Sequence, residues 1–104
     1  MSLTFPDRDE YRAKVESVIS RTGDAADLPA TAPIVAMFAT GYMPGDPNEE
    51  SGENMTSFEI MQRLEDIAAV STTDIALTMT YLGYRLHFNL YGSPEWAMRP
   101  WAAE

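Results

Sequence analysis

Cysteine is absent from these 104 residues, which excludes a disulfide framework, a thiolate zinc site and a cysteine nucleophile together and fits a reducing compartment. Positive charge is scarce. Lys and Arg number 7 against 16 Asp and Glu, a formal net charge of −9. Nucleic-acid binding draws most of its affinity from cations that displace condensed counterions, so such a chain needs a concentrated basic patch to hold a polyanion. None is visible in the sequence: from Thr22 to Gln62 there is no Lys or Arg, while Asp24, Asp27, Asp46, Glu49, Glu50, Glu53 and Glu59 give that stretch a net of −7. No apolar run approaches the roughly 18 residues of a membrane span. Met1 to Phe5 lack the basic flank and apolar core of a secretory signal, so the expectation is a cytoplasmic chain without a membrane partner. Catalytic signatures are missing as well. There is no phosphate-cradling glycine loop, paired-histidine metal motif or serine elbow, and Asp46, Glu49, Glu50 and Glu53 do not have the spacing of a calcium loop. No catalytic residue, cofactor or metal is expected, and His87, the single histidine, has no nucleophile or orienting acid specified beside it.

What is present is an ordinary globular composition, 45% hydrophobic and 22% charged, at a length that suits one domain. A first helix starts at Pro6-Asp7, with Asp7, Asp9 and Glu10 at the positive end of its dipole, and runs to about Arg21. Tyr11, Val15, Val18 and Ile19 recur at spacings of 3 and 4 and mark its core face. Thr22-Gly23-Asp24 then predicts a glycine C-cap. Arg8, Arg12, Lys14 and Arg21 are four of the seven basic residues, but they are interleaved with acids and describe a mixed surface. Ala25 to Pro33 reads as a connection. The uncharged segment Ile34 to Tyr42 fits a helix or a buried strand; Pro33 at the first turn and Ala36, Met37 and Ala39 favour the helix. These residues, 1–43, form an N-terminal helical part, and an acidic, turn-rich loop at 44–55 joins it to the remainder.

Residues 56–101 carry the clearest pattern. Thr56 and Glu59 have the spacing of a capping box, and Phe58, Ile60, Met61, Leu64 and Ile67 give a core-facing stripe. Ser71 and Asp74 repeat the cap, a second helix over Thr72 to Leu82 turns Ile75, Ala76, Met79 and Leu82 inward, and Gly83 closes it. The period then switches to 2. Tyr84, Leu86, Phe88 and Leu90 are predicted to face one way and Arg85, His87, Asn89 and Tyr91 the other. A turn at Tyr91-Gly92-Ser93 returns a strand with Trp96 and Met98 on one face and Glu95, Ala97 and Arg99 on the opposite one. Pro100-Trp101 is expected to fold back over an end of the core. Met37, Met61, Met79 and Met98 fall at core spacings as gap-fillers.

Two capped helices followed by a hairpin resemble the winged helix-turn-helix family, through Thr56 to Leu64, Ser71 to Tyr84 and the hairpin Arg85 to Met98. Leu82-Gly83-Tyr84-Arg85 leading into a hairpin with a late Trp is similar to the short winged-helix modules of bacterial and phage replication and mobile-element proteins. The fold class implied is mainly α with a small β-hairpin. Family members commonly bind DNA through the second helix and the wing. That implies contacts from Thr72, Thr73, Thr78 and Thr80 on the helix and from Arg85, His87 and Arg99 on the wing. The sequence departs from the pattern on that helix, which has hydroxyls and Asp74 but no cation.

Two functions follow as expectations. The first is a non-enzymatic, acidic protein-interaction module, an accessory or regulatory factor that docks another protein, basic in character, or its own copy, with Asp46, Glu49, Glu50 and Glu53 as partner-binding residues; an acidic mimic of DNA is a variant. The second is a DNA-binding transcriptional or replication regulator, acting as a dimer.

Overall fold

The first helix forms because a cap and a stripe agree. In the computed structural model, which describes residues 7–46, 48 and 52–101, α1 spans Arg8–Ser20 and the Asp7 carboxylate caps it by accepting from the Glu10 amide. Pro6, Glu49 and Glu50 lie outside the described residues. Tyr11, Val15 and Val18 are buried as the spacing predicts, whereas Ile19 is 39% exposed. The C-cap is not the predicted glycine. Arg21 itself takes the left-handed conformation (φ 54°), and its guanidinium donates to the carbonyls of Ala26, Leu28 and Pro29. Those three bonds offset the steric cost of a β-carbon in that region.

A short 3₁₀ turn at Gly23–Asp27 leads to α2, Ala32–Ala39, with Pro33 in its first turn. The apolar segment 34–42 therefore resolves as helix to Ala39, followed by a strand, β1, at Tyr42–Pro44. Helix α3, Ser57–Leu64, carries the full capping box between Thr56 and Glu59. Helix α4, Thr72–Tyr81, is capped by the Ser71 hydroxyl on the Asp74 amide, and Gly83 (φ 98°) ends it. The hairpin consists of β2, Leu86–Phe88, and β3, Pro94–Trp96; β4, Met98–Pro100, follows after Ala97 alone. The wing pairs Leu86 with Trp96, His87 with Glu95 and Phe88 with Pro94, all antiparallel. Beyond Ala97 the same strand pairs with β1, setting Met43 opposite Arg99. The molecule is thus mainly α with small antiparallel sheets, N-terminal helices preceding a wing, and its shape is compatible with a winged helix.

One apolar core runs through these elements, from Tyr11, Val15 and Val18 of α1 through Val35 of α2 to Ile60, Ile75, Met79, Leu82 and Met98. Two positions of the predicted α3 stripe are not in it, and one position expected outside is buried. Phe58 and Ile67 of the α3 stripe are 55% and 72% exposed; Ile67 leaves the stripe because α3 ends at Leu64, where the chain leaves the helical period. Ala97, expected to face outward, is fully buried, since it is squeezed where the strand changes partners: its amide donates to Arg85 and its carbonyl accepts from Gly45. Trp101 folds back as expected, against Tyr11 and beneath the guanidiniums of Arg8 and Arg12, which lie 4.1 and 5.1 Å from its ring.

The N-terminal part is tied to the rest by two phenols. Tyr11 donates to the Ala39 carbonyl (2.7 Å) and is hydrogen-bonded to the Tyr84 hydroxyl, with the rings edge to face. Burial raises both phenols well above the usual value near 10. Each keeps its proton in the folded state at a pH where the unfolded chain releases it, so folding stability is complete below about pH 10 and falls as pH rises. Denaturant unfolding at about pH 8 and about pH 11 should show this loss, and Tyr84→Phe should make it shallower; equal alkaline losses in both proteins would contradict the assignment.

Candidate interaction surface

Helix α4 turns two faces outward from one register. Ile75, Thr78, Met79 and Leu82 are buried, which leaves positions 73, 76, 77 and 80 as the neighbouring stripe at spacings of 3 and 4. Thr78, placed on the recognition surface by the family resemblance, is instead fully buried and donates its hydroxyl to the Asp74 carbonyl. Thr72, Thr73 and Thr80 are exposed. With Ala76 and Leu77 they form one wall of a groove of about 580 Å³, whose other wall is Leu86, Pro94 and Trp96 of the wing, with Ser57 at its end. No lining residue is charged. A second depression lined by Phe58, Ser93 and Pro94 shares Ser57 and Thr72 with it and extends the surface toward α3.

The apolar face of the wing strand is not covered by the core as predicted. Leu86, Phe88 and Leu90, expected on the core side, are 50%, 70% and 100% exposed. The reason lies in the strand that β2 joins. Trp96, opposite Leu86, fills the space beneath the sheet: it is 4% exposed, its indole N–H donates to Ser57 Oγ (2.9 Å), and its backbone exchanges hydrogen bonds with Met55. With that position occupied, the apolar side of β2 is left at the rim of the groove. His87 turns to the other side, 3.5 Å from Glu95 and 3.2 Å from Asn54 Nδ2. Asn54 Oδ1 accepts the Met98 amide, so its Nδ2 is the donor and His87 Nε2 the acceptor in that contact.

The three proposed cations therefore do not make a basic wing. Arg85 is exposed just before β2, His87 sits beside a carboxylate, and Arg99 is half-buried in the β1–β4 ladder opposite Met43. Of the acidic residues, Asp46 is half-buried and accepts the Asn48 amide, and Glu53 is exposed with its backbone amide on Met98. Burial first and the Glu53 carboxylate second raise the Tyr42 phenol above its usual value, while Arg63 acts in the opposite direction. Among the described residues no group of three or more His, Asp and Glu is placed to hold a metal ion, and no helix is long and apolar enough to cross a membrane.

Compared with known proteins, the chain matches no family model, no curated protein and no solved structure. The surface thus stands on its own geometry. Sequence reasoning missed Leu77, Leu86, Phe88 and Pro94 as surface-forming residues. A usable signal existed for Leu77, which falls off the Ile75, Met79, Leu82 stripe and next to three threonines.

Asn54 joins two strands, β4 through the Met98 amide and β2 through His87. Asn54→Ala should lower stability by about 1–3 kcal/mol and speed amide exchange at Met98. Unchanged exchange there would show that Asn54 does not brace the strand.

Proposed function

We propose that this chain is a non-enzymatic protein-interaction module on a winged-helix-like scaffold, an accessory or regulatory factor, and that the groove between α4 and the wing is its docking face. The observation that carries this reading is the lining of that groove. Where a DNA reader of this shape presents Lys and Arg to phosphates, α4 presents Thr, Ala and Leu, and the wing presents Leu, Pro and Trp. Such a wall gains free energy by covering apolar side chains, at roughly 25 cal/mol per Å², and gains nothing from counterion release. The net charge of −9 adds long-range repulsion of a polyanion. The acidic stretch containing Asp46, Glu49, Glu50 and Glu53 suits a role in steering a basic partner, changing its rate of arrival more than its final affinity.

One observation favours DNA binding as a second reading: the exposed hydroxyls of Thr72, Thr73 and Thr80 lie on one side of α4, with Arg85 just before the wing strand. The two readings separate in a pair of measurements. Fluorescence anisotropy with random duplex DNA at about 50 mM salt should show no binding, and salt-sensitive binding weakened by Arg85→Ala would favour the second reading. Capture of a partner protein by the immobilised chain should be lost with Leu77→Asp. Changing Glu49, Glu50 and Glu53 to Gln should alter only its salt dependence. Capture indifferent to Leu77→Asp would remove the groove from the mechanism.

A further inference from the structure

The wing leaves one strand edge open. Among the described residues β2 is paired only with β3, and the bonds to that side come from Arg85, whose carbonyl accepts the Ala97 amide, and Asn89, whose amide donates to Ser93. Backbone groups alternate along a strand, so the N–H and C=O of Leu86 and Phe88 point to the outer edge. Natural sheets guard such edges with charge, proline or a bulge. Leu86 and Phe88 supply none of these, and both side chains are half or more exposed.

Charge selects the occupant. Two copies carrying −9 each repel unless the surfaces that meet are free of carboxylates, and the longest stretch of this chain without Asp or Glu is the 20 residues from Ile75 to Pro94. It contains most of the groove-facing side of α4 and the whole of β2. A basic protein partner would find no carboxylate in this groove to pair with. A strand of apolar residues without carboxylates fits, and Arg85-Leu86-His87-Phe88-Asn89-Leu90 of a second copy is such a strand. Area agrees in kind: the exposed parts of Leu86, Phe88, Leu90 and Tyr91, on or next to β2, come to roughly 600 Å², at the upper end of the roughly 300–600 Å² of the largest apolar patch on a monomer.

Resting on the docking role assigned to this face, we infer that its occupant is a second copy of the chain, joined edge to edge through β2 about a two-fold axis at His87. In that antiparallel register Leu86 of one copy lies opposite Phe88 of the other, giving two hydrogen-bonded pairs and two apolar cross-strand contacts. The two His87 residues form the non-hydrogen-bonded pair between them, with Cα atoms about 4.5 Å apart.

The test uses the full chain. Sedimentation velocity over a range of micromolar concentrations should show a species of twice the 11.6 kDa of one chain. Phe88→Glu should weaken association at least about tenfold without changing the circular dichroism spectrum, because Phe88 is 70% exposed. The absence of native cysteine allows a clean second measurement. His87→Cys should oxidise to a covalent dimer, since the paired Cα distance falls within disulfide reach, whereas Ser20→Cys at the far end of α1 should not. A monomer at all concentrations, or a dimer that survives Phe88→Glu and does not cross-link at position 87, overturns the pairing. A monomer that still captures a partner through Leu77 would leave the docking role of the groove standing and remove only the second copy.

Discussion

The buried indole of Trp96 constrains everything around it. Its backbone exchanges both hydrogen bonds with Met55, it stands opposite Leu86 in the hairpin register, and its indole N–H ends on Ser57 at the first turn of α3. A single residue therefore fixes the wing to the helix pair and to the residues that follow the acidic loop. Because the ring fills the space under the sheet, the side chains of β2 are pushed to the rim, and the groove beside α4 is the result. A smaller residue at this position would let Leu86 fall inward, and the groove would close.

Energetics then shape what the surface can do. The groove-side apolar residues are held in water at a cost that the fold has no structural need to bear, since the core is complete without Phe58, Phe88 and Leu90. Covering such surface in a complex removes it from water, and that gain works against an association cost of roughly 4–15 kcal/mol. The same chain carries most of its carboxylates elsewhere, on α1, at Asp46 and Glu53, and at Glu59, Glu65 and Asp66 around α3, while Asp74 on α4 accepts from the Thr31 hydroxyl and Glu95 on the wing lies on the His87 side. Apolar and acidic surfaces are thereby separated, which lets one face attract an uncharged surface while the rest of the molecule repels polyanions.

Local chemistry was legible in the sequence wherever it was self-contained. The Thr56–Glu59 box, the Ser71 cap, Gly83 at the end of α4 and the change of period at Tyr84 all depend on residues within a few positions of one another, and all recur in the structure. What stayed hidden depended on distant partners. The alternation at Leu86, Phe88 and Leu90 shows that these residues share a face, but which face meets the core is decided by Trp96, ten residues on. Thr78 illustrates the same limit, since its burial follows from packing of α4 against α2 and α3. The left-handed cap at Arg21 was concealed because a glycine two residues later offered an easier explanation than three carbonyls gathered by a guanidinium. For the candidate surface, the lack of cations on the second helix was readable directly, whereas the groove opposite it required the wing to be placed.

The most direct measurement of the central claim is a residue-resolved amide-exchange map of the full chain, recorded at low and at high protein concentration. If the α4–wing face is where this molecule meets its own copy, exchange at the Leu86 and Phe88 amides slows as concentration rises, while the amides of α1 do not change. Concentration-independent exchange at Leu86 and Phe88, with slowing confined to the acidic segment around Asp46 and Glu53, would contradict it.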